Sequence, residues 1–531
     1  MRLMGRSAAL AGFGLAACLL PIACAVIAGV HDIAASGDAD VPDATALDAP
    51  AARRDAPSKA DTGTVVRHDG ASCDPSAPPS TSSCVLTEAY GVFVSTSGSD
   101  VNGKGTRASP FASLGKGIAA ASAKSLRVYV CKGNVTYDEH VELADGVSVY
   151  GGMACPTKGS TDWTYTGARP SVAPSTPGYA LTASALLSST DVSDLAFNAG
   201  PTLRGDAGAA PPGASSIGGF VVNSASVGLT RVSLTAGDGQ AGSSGSTSSN
   251  YSTPAQPGNA AEPLGAVAGP MPCACPDGTS STGGGGGSSG SEPGVNGTST
   301  PPVASPVANG GAVIAGGCQG APSTQPGANG AGGSGGQAGT SAGTLSQSGW
   351  TPAPPTATAS NGAPGQGGGG GSWDINCGGT GVGTGGGGGG CGGCGGGGGT
   401  GGGTGGSSFA LVVANSTVTL TSCTVTAGNG GAGGPGGTGE AGQPGGALGA
   451  GVCCDGTAGG NGGIGGGGAG GAGGLAYGIA FSGPAPETTG SKISSGHGGA
   501  GGAGGGASAG PPGAGAHGQD GTDGPVTSMQ Q

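Results

Sequence analysis

Leu229-Thr230-Arg231-Val232-Ser233-Leu234-Thr235-Ala236-Gly237-Asp238-Gly239 returns later as Leu420-Thr421-Ser422-Cys423-Thr424-Val425-Thr426-Ala427-Gly428-Asn429-Gly430. Phe220-Val221-Val222 precedes the first copy and Leu411-Val412-Val413 the second, at the same spacing. An earlier copy is Val192-Ser193-Asp194-Leu195-Ala196-Phe197-Asn198-Ala199-Gly200. A later one ends Ile493-Ser494-Ser495-Gly496-His497-Gly498, with Ile479-Ala480-Phe481 upstream. Within a copy, Leu195 and Phe197, Val232 and Leu234, or Cys423 and Val425 alternate with neighbours that are mostly polar, so one strand face is buried and the other wet. No copy can bury that face alone, and stacking on other copies supplies the missing partner. The offsets between the turn glycines Gly200, Gly237, Gly428 and Gly496 are irregular, so each copy is one layer followed by an insert of its own length.

The inserts are the second signal. Of 129 glycines, 102 lie in residues 236–531. They often recur every third residue, as at Gly430, Gly433, Gly436, Gly439, Gly442 and Gly445. Three residues per turn is the period of an extended left-handed helix, and glycine every third residue leaves one edge bare for close approach of a neighbour. Residues 427–526 therefore suit either a bundle of such polyglycine-II helices or a set of loose loops. For 240–407 a disordered insert is expected, because Ser, Thr and Pro interrupt the period and Gly385–Gly390 has no triplet pattern. Collagen is disfavoured by the broken register and sparse proline.

Upstream, Gly91-Val92-Phe93-Val94-Ser95 reads as a strand, Gly98-Ser99-Asp100 as a loop, and Ser109-Pro110-Phe111-Ala112-Ser113-Leu114 leads into a short helix through Ile118. This arrangement resembles the N-terminal module of bacterial pectin-lyase-like parallel β-helices over roughly residues 91–152. The resemblance implies an all-β fold: a right-handed parallel β-helix, or solenoid, carrying long Gly-rich inserts. The glycine tracts resemble in composition the polymorphic glycine-rich (PGRS) domains of mycobacterial surface proteins, which implies a surface role.

The first 30 residues carry Arg2 and Arg6 and then an apolar run, Ala8–Val30, which reads as an export signal or N-terminal anchor. Leu15-Ala16-Ala17-Cys18 and Pro21-Ile22-Ala23-Cys24 both resemble a bacterial lipobox. Cys24 is the expected lipidation site, with Cys18 the alternative, because cleavage at Cys18 leaves a strongly apolar mature N-terminus. Simple secretory cleavage stays open. The reading by segments is signal 1–24, disordered Ala/Asp/Pro/Ser tether 25–85, β-helix 86–239, insert 240–407, coil 408–430, insert 431–475, coil 476–498 and Gly-rich tail 499–531.

Beyond Cys24 there are 13 cysteines, which in an oxidising compartment should mostly pair and leave one over. Cys73 with Cys84 and Cys131 with Cys155 are the simplest pairings. Cys391-Gly-Gly-Cys394 reads as a disulfide staple ahead of a metal site, since no second such motif and no nearby His completes a zinc shell. Residues 236–531 contain no Arg and one Lys, Lys492, so nucleic acid is excluded as a partner on charge. The net charge of -12 serves solubility.

Folds of the resembled class often carry polysaccharide lyases or hydrolases, which need clustered carboxylates. Candidates are Asp138-Glu139-His140 and Asp191 with Asp194. Asp138 and Glu139 suit a solvated turn better, and Asp194 is expected to face outward beside Arg231 of the next copy. Asp238, Asn429 and His497 share one repeat position, which suits a turn role. No cofactor or metal site is expected. The overall expectation is an exported, surface-anchored lipoprotein with a structural or adhesive role and no catalysis, located at the outer membrane or cell surface and held by its N-terminal lipid or anchor. The alternative is a secreted protein or one that binds or degrades extracellular polysaccharide.

Overall fold

The computed structural model describes residues 73–157, 160–200, 210–247, 251–262, 266–288, 292–311, 325–374, 383–507 and 513–529. All lie in the unit Ala71–Gln531. Cys18, Cys24, the apolar N-terminus and the tether up to residue 72 fall outside them.

Among the described residues the fold is nearly all β. Three sheets dominate, and their strands come from successive passes of the chain. Sheet one runs Gly91–Val94, Arg127–Lys132, Val149–Ala154, Thr190–Ser193, Val227–Thr230, Val418–Thr421 and Glu487–Thr489. Sheet two runs Val141–Glu142, Leu181–Ser184, Ser216–Val222, Ser408–Ala414, Ala476–Ser482 and Asp523–Ser528. Sheet three runs Ser171–Val172, Ala196–Asn198, Ser233–Thr235, Thr424–Thr426 and Lys492–Ser494. Pairing within these paths is parallel; Thr164–Ala168 adds an antiparallel strand on Val149–Ala154.

The repeated copies lie in neighbouring layers. Leu229 pairs with Leu420, and Leu234 stands between Phe197 and Val425, which in turn pairs with Ile493. All but Ile493, which packs partly buried against them, are almost fully buried in one core with Leu181, Val221 and Leu411. One detail departs from the sequence alignment. Leu411 pairs with Gly219 and Val412 with Phe220, a one-residue slip in sheet two. The corner after Asn223 holds one residue more than the corner after Asn415, so identical spacing along the chain does not give identical register in space.

Corners explain the non-apolar residues of the repeat. Asp194, Arg231 and Ser422 occupy the same corner in successive layers with φ of 57°, 53° and 54°, and Asn223 and Asn415 occupy another with φ of 49° and 47°. Left-handed backbone at a non-glycine residue is uncommon and favours Asn and Asp, whose short polar side chains bond locally. Asn415 Nδ2 donates to Asn223 Oδ1 at 2.9 Å, and Asn223 Nδ2 to Gln347 Oε1 at 3.3 Å, tying the corners together.

The short helix α1, Leu114–Ser122, begins where the motif places it. Asp100 Oδ1 accepts from the Ala112 and Ser113 amides at 2.8 and 3.1 Å, and Ser113 Oγ accepts from the Lys116 amide. Leu114, Ile118 and Ala121 enter the same core as Val92 and Val128. Order starts earlier than the tether boundary at 85. The Cys73–Cys84 disulfide closes a loop, and Val85 just after it is fully buried and its carbonyl accepts from the Tyr129 hydroxyl at 2.8 Å. Cys131 pairs with Cys155, as neighbour spacing suggests.

Candidate functional site: the glycine-rich bundle

The candidate carboxylates are each engaged, in different directions. The carboxylate of Asp138 accepts from the Ser175 amide at 2.6 Å, and hydrogen bonding from Ser175 holds it below the usual carboxylate range. Glu139 turns the other way and accepts from the Leu114 and Gly115 amides at 2.7 and 2.9 Å, at the N-terminus of α1. Burial pushes its carboxyl up, against the pull of those two amides. His140 contacts Tyr179 O and Thr176 Oγ1. Asp194 is 3% exposed and forms a two-point pair with Arg231, Nε to Oδ1 and Nη2 to Oδ2 both at 2.7 Å, with Tyr165 donating to Oδ2. It stands beside Arg231 as expected, but it is buried there, because Tyr165 covers the corner from the antiparallel strand. Asp191 lies exposed on sheet one, opposite Gly228, away from that pair. Asp238 and Asn429 form a ladder: Asp238 Oδ1 accepts from the Asn429 amide at 2.7 Å and Asn429 Oδ1 from the His497 amide at 2.9 Å.

The larger constellation is the bundle built by the inserts. Gly430, Gly433, Gly436 and Gly439 donate to the carbonyls of His497, Ala500, Ala503 and Gly506 at 2.8–3.0 Å. Gly431, Gly434 and Gly437 donate to Gly406, Gly403 and Thr400. Gly474, Gly471 and Gly468 donate back to Gly431, Gly434 and Gly437, and Gly242 and Gly245 to Ala432 and Pro435. Each register position of one tract thus addresses its own set of neighbours. Ala432, Pro435 and Thr438 occupy the third register and are exposed.

Tract 385–406 is where the expectation of disorder fails. Its residues are buried except Gly397 and Thr400. Gly396, Gly399, Gly402 and Gly405 donate to the tract 463–472, and these same positions except Gly405 accept from 356–362. Gly403 and Gly406 accept from 431–434 and donate to 240–243. With neighbours on every side, all three registers approach another backbone, so a triplet pattern disappears and nearly pure glycine takes its place. A run without period marks an interior tract here.

Polar residues that break a glycine column offer side-chain acceptors to backbone amides of the bundle. Gly406, Gly403 and Thr400 donate to Gln240, Ser243 and Ser246, and further along Cys391 and Gly388 donate to Gln256 and Asn259. Between them, the amides of Gly397 and Cys394 find Glu440 Oε2 and Gln443 Oε1 at 3.0 and 3.1 Å. These side chains supply the acceptors for those two amides. Gln366, 3% exposed, does the same with Oε1 accepting from Val307 and Nε2 donating to Gly297. The sequence signal for them was a Glu or Gln standing in a glycine column.

Covalent bonds hold the bundle as well. Cys391 pairs with Cys273 and Cys394 with Cys275, which resolves the Cys-Gly-Gly-Cys segment as a double staple. Cys453 and Cys454 are also disulfide-bonded, and the buried Cys423 is a free thiol that burial pushes up in pKa. A hairpin emerging from the inserts, Gly343–Ser346 with Gly349–Pro352, lays Leu345 and Trp350 on the outer face of sheet two, where Trp350 meets Phe409 edge-on at 5.0 Å.

No protein-family model matches the chain, and no curated protein matches it. Among solved structures it is similar to GH136 lacto-N-biosidase from Eubacterium ramulus, at 18% identity for the selenomethionine derivative and 19% for the native protein. Each match covers 28% of this chain and 27% of the other, with a TM-score of 0.17. The chain therefore spans about a quarter of those structures, and the likeness carries no argument about activity.

Proposed function

We propose that the chain is an exported, surface-anchored lipoprotein with a structural or adhesive role. In this reading the three sheets are the sides of a right-handed parallel β-helix, the hand that parallel crossovers adopt almost without exception. The inserts leave it after the Thr-Ala-Gly corners and associate as polyglycine-II helices. Lipidation at Cys24 and residues 25–72 as a tether hold this body at the outer membrane or cell surface, with cell-surface components or extracellular polysaccharide as partners. The supporting observation is tract 385–406, enclosed by hydrogen-bonded tracts on several sides. The described glycine-rich inserts thereby form a backbone-bonded body whose exposed column Ala432, Pro435 and Thr438 carries small side chains. Disulfides agree with an oxidising compartment.

Fatty-acid labelling of the full chain, wild type and Cys24→Ala, tests the anchor: label lost with Cys24→Ala supports it, and unchanged labelling rules that cysteine out. Incubation with a polysaccharide panel tests the role. Release of reducing or unsaturated ends would overturn it in favour of a degrading enzyme.

A further inference from the structure

Seven of the 14 asparagines precede a glycine: Asn102, Asn296, Asn309, Asn329, Asn361, Asn429 and Asn461. In an unstructured chain this dipeptide rearranges spontaneously. The glycine nitrogen attacks the asparagine Cγ, ammonia leaves, and water opens the resulting succinimide to aspartate or isoaspartate. Ring closure needs a glycine N–H free to give up its proton and a rotation of ψ that swings the nitrogen over Cγ. Glycine favours the step because no Cβ obstructs that approach.

Six of the seven pairs lie in the glycine-rich inserts and are held there. Gly330, Gly362, Gly430 and Gly462 donate to the carbonyls of Asn461, Gly396, His497 and Gln443 at 2.8–2.9 Å. Gly297 and Gly310 donate crosswise, to Asn309 Oδ1 and Asn296 Oδ1 at 3.1 and 2.6 Å. The other carboxamides are engaged too: Oδ1 of Asn329, Asn361, Asn429 and Asn461 accepts from the amides of Asn461, Gly398, His497 and Gly445 at 2.9–3.0 Å. Attacking nitrogen and target carboxamide are thus each bonded elsewhere, and closing the ring requires neighbouring stretches to come apart.

Asn102 is placed differently. Its carboxamide bonds no group among the described residues, and the Gly103 N–H returns to Ser99 O within the same loop at 2.9 Å. Only one turn has to open. Exposure does not separate the seven, since Asn329, Asn361, Asn429 and Asn461 are exposed as Asn102 is. Bonding does.

We infer that Asn102 is a site of spontaneous covalent modification, converted through a succinimide to aspartate and isoaspartate, while the bundle keeps the other six Asn-Gly pairs intact. An exposed turn opens at far lower cost than packed structure, and a reaction of the open state scales with its population. Isoaspartate lengthens the backbone between Asn102 and Gly103, where there is little room: a Cβ on Gly103 would stand 2.1 Å from Ser99 O and 2.5 Å from Pro110 O. The same loop carries Asp100, which accepts from the Ala112 and Ser113 amides ahead of α1, so the change reaches the start of that helix. Conversion of Asn102 depends on neither the anchor nor the adhesive role.

The test is incubation of the full chain in mildly alkaline buffer, once native and once reduced in urea, with peptide mapping by mass spectrometry over time. In the native chain Asn102 should convert at least about tenfold faster than any of the other six, and in urea all seven should convert within about threefold of one another. An isoaspartyl methyltransferase should label the aged native wild type and leave an Asn102→Gln variant unlabelled. Native conversion of Asn102 no faster than that of the other six would overturn the inference, and so would labelling that persists in Asn102→Gln. Asn329 and Asn461 converting equally fast native and in urea would overturn it and count against the bundle as well, whereas silence at Asn102 with the other six protected would overturn it and leave the bundle standing.

Discussion

A methyl group on Gly436 would stand 2.0 Å from the Gly468 carbonyl oxygen, a separation no carbon and oxygen tolerate. Two residues on, Thr438 is exposed and free to vary. Gly436→Ala should therefore cost about 1–3 kcal/mol through forced separation of two tracts, whereas Thr438→Ala should change stability by less than about 0.5 kcal/mol. Thermal or urea unfolding of the two variants checks the contrast, and equal losses would contradict it. Acid should act on other residues. Asp145 accepts from the Leu187 and Ser188 amides of the next layer, and bonding to Ser188 holds its carboxyl below the usual range, as Ser175 does for Asp138. A depressed carboxylate contributes fully above its unfolded pKa of about 4 and loses that contribution as pH falls through the folded value. Followed by circular dichroism, the increment of stability removed by Asp138→Asn with Asp145→Asn should be constant from pH 7 to about 5 and shrink below about 4; an increment that grows on acidification would contradict this.

Elements were legible where side chains carry the pattern and obscure where backbone does. The layer pairs Leu229 with Leu420 and Leu234 with Val425 could be read from alternation and spacing, as could α1 and the neighbour disulfides. The one-residue slip at Phe220 could not, since corner length is set by turn geometry and not by the strand pattern. Tract 385–406 was misread because loss of period signals disorder in a solvated chain and complete enclosure in a bundle. Its staples also belong at this scale. Cys273–Cys391 and Cys275–Cys394 close almost the same loop, with separations of 118 and 119 residues. Chain entropy assigns such a loop about 4–5 kcal/mol, which either bond supplies once the other is gone. The double variant Cys273→Ser with Cys391→Ser should lose only about 1 kcal/mol, and removal of all four cysteines about 4 kcal/mol. Strictly additive losses on urea unfolding would contradict a shared loop.

For the whole molecule, the sequence announced a side-chain-bearing stack and glycine-rich inserts, and the structure binds the two into one body. Ser216 Oγ accepts from the Gly237 amide and Ser408 Oγ donates to the Gly237 carbonyl, so the bundle begins at the corners of the sheets. Candidate catalytic residues were legible as residues but not as an ensemble, because Asp138, Glu139 and His140 turn to three different partners. The central claim is that glycine tracts far apart in the chain form hydrogen-bonded interior structure. Hydrogen–deuterium exchange of the full chain, read by mass spectrometry over residues 385–406, tests it most directly. Protection of these amides comparable to that of Ser408–Ala414 is the predicted result, and complete exchange within seconds would contradict it.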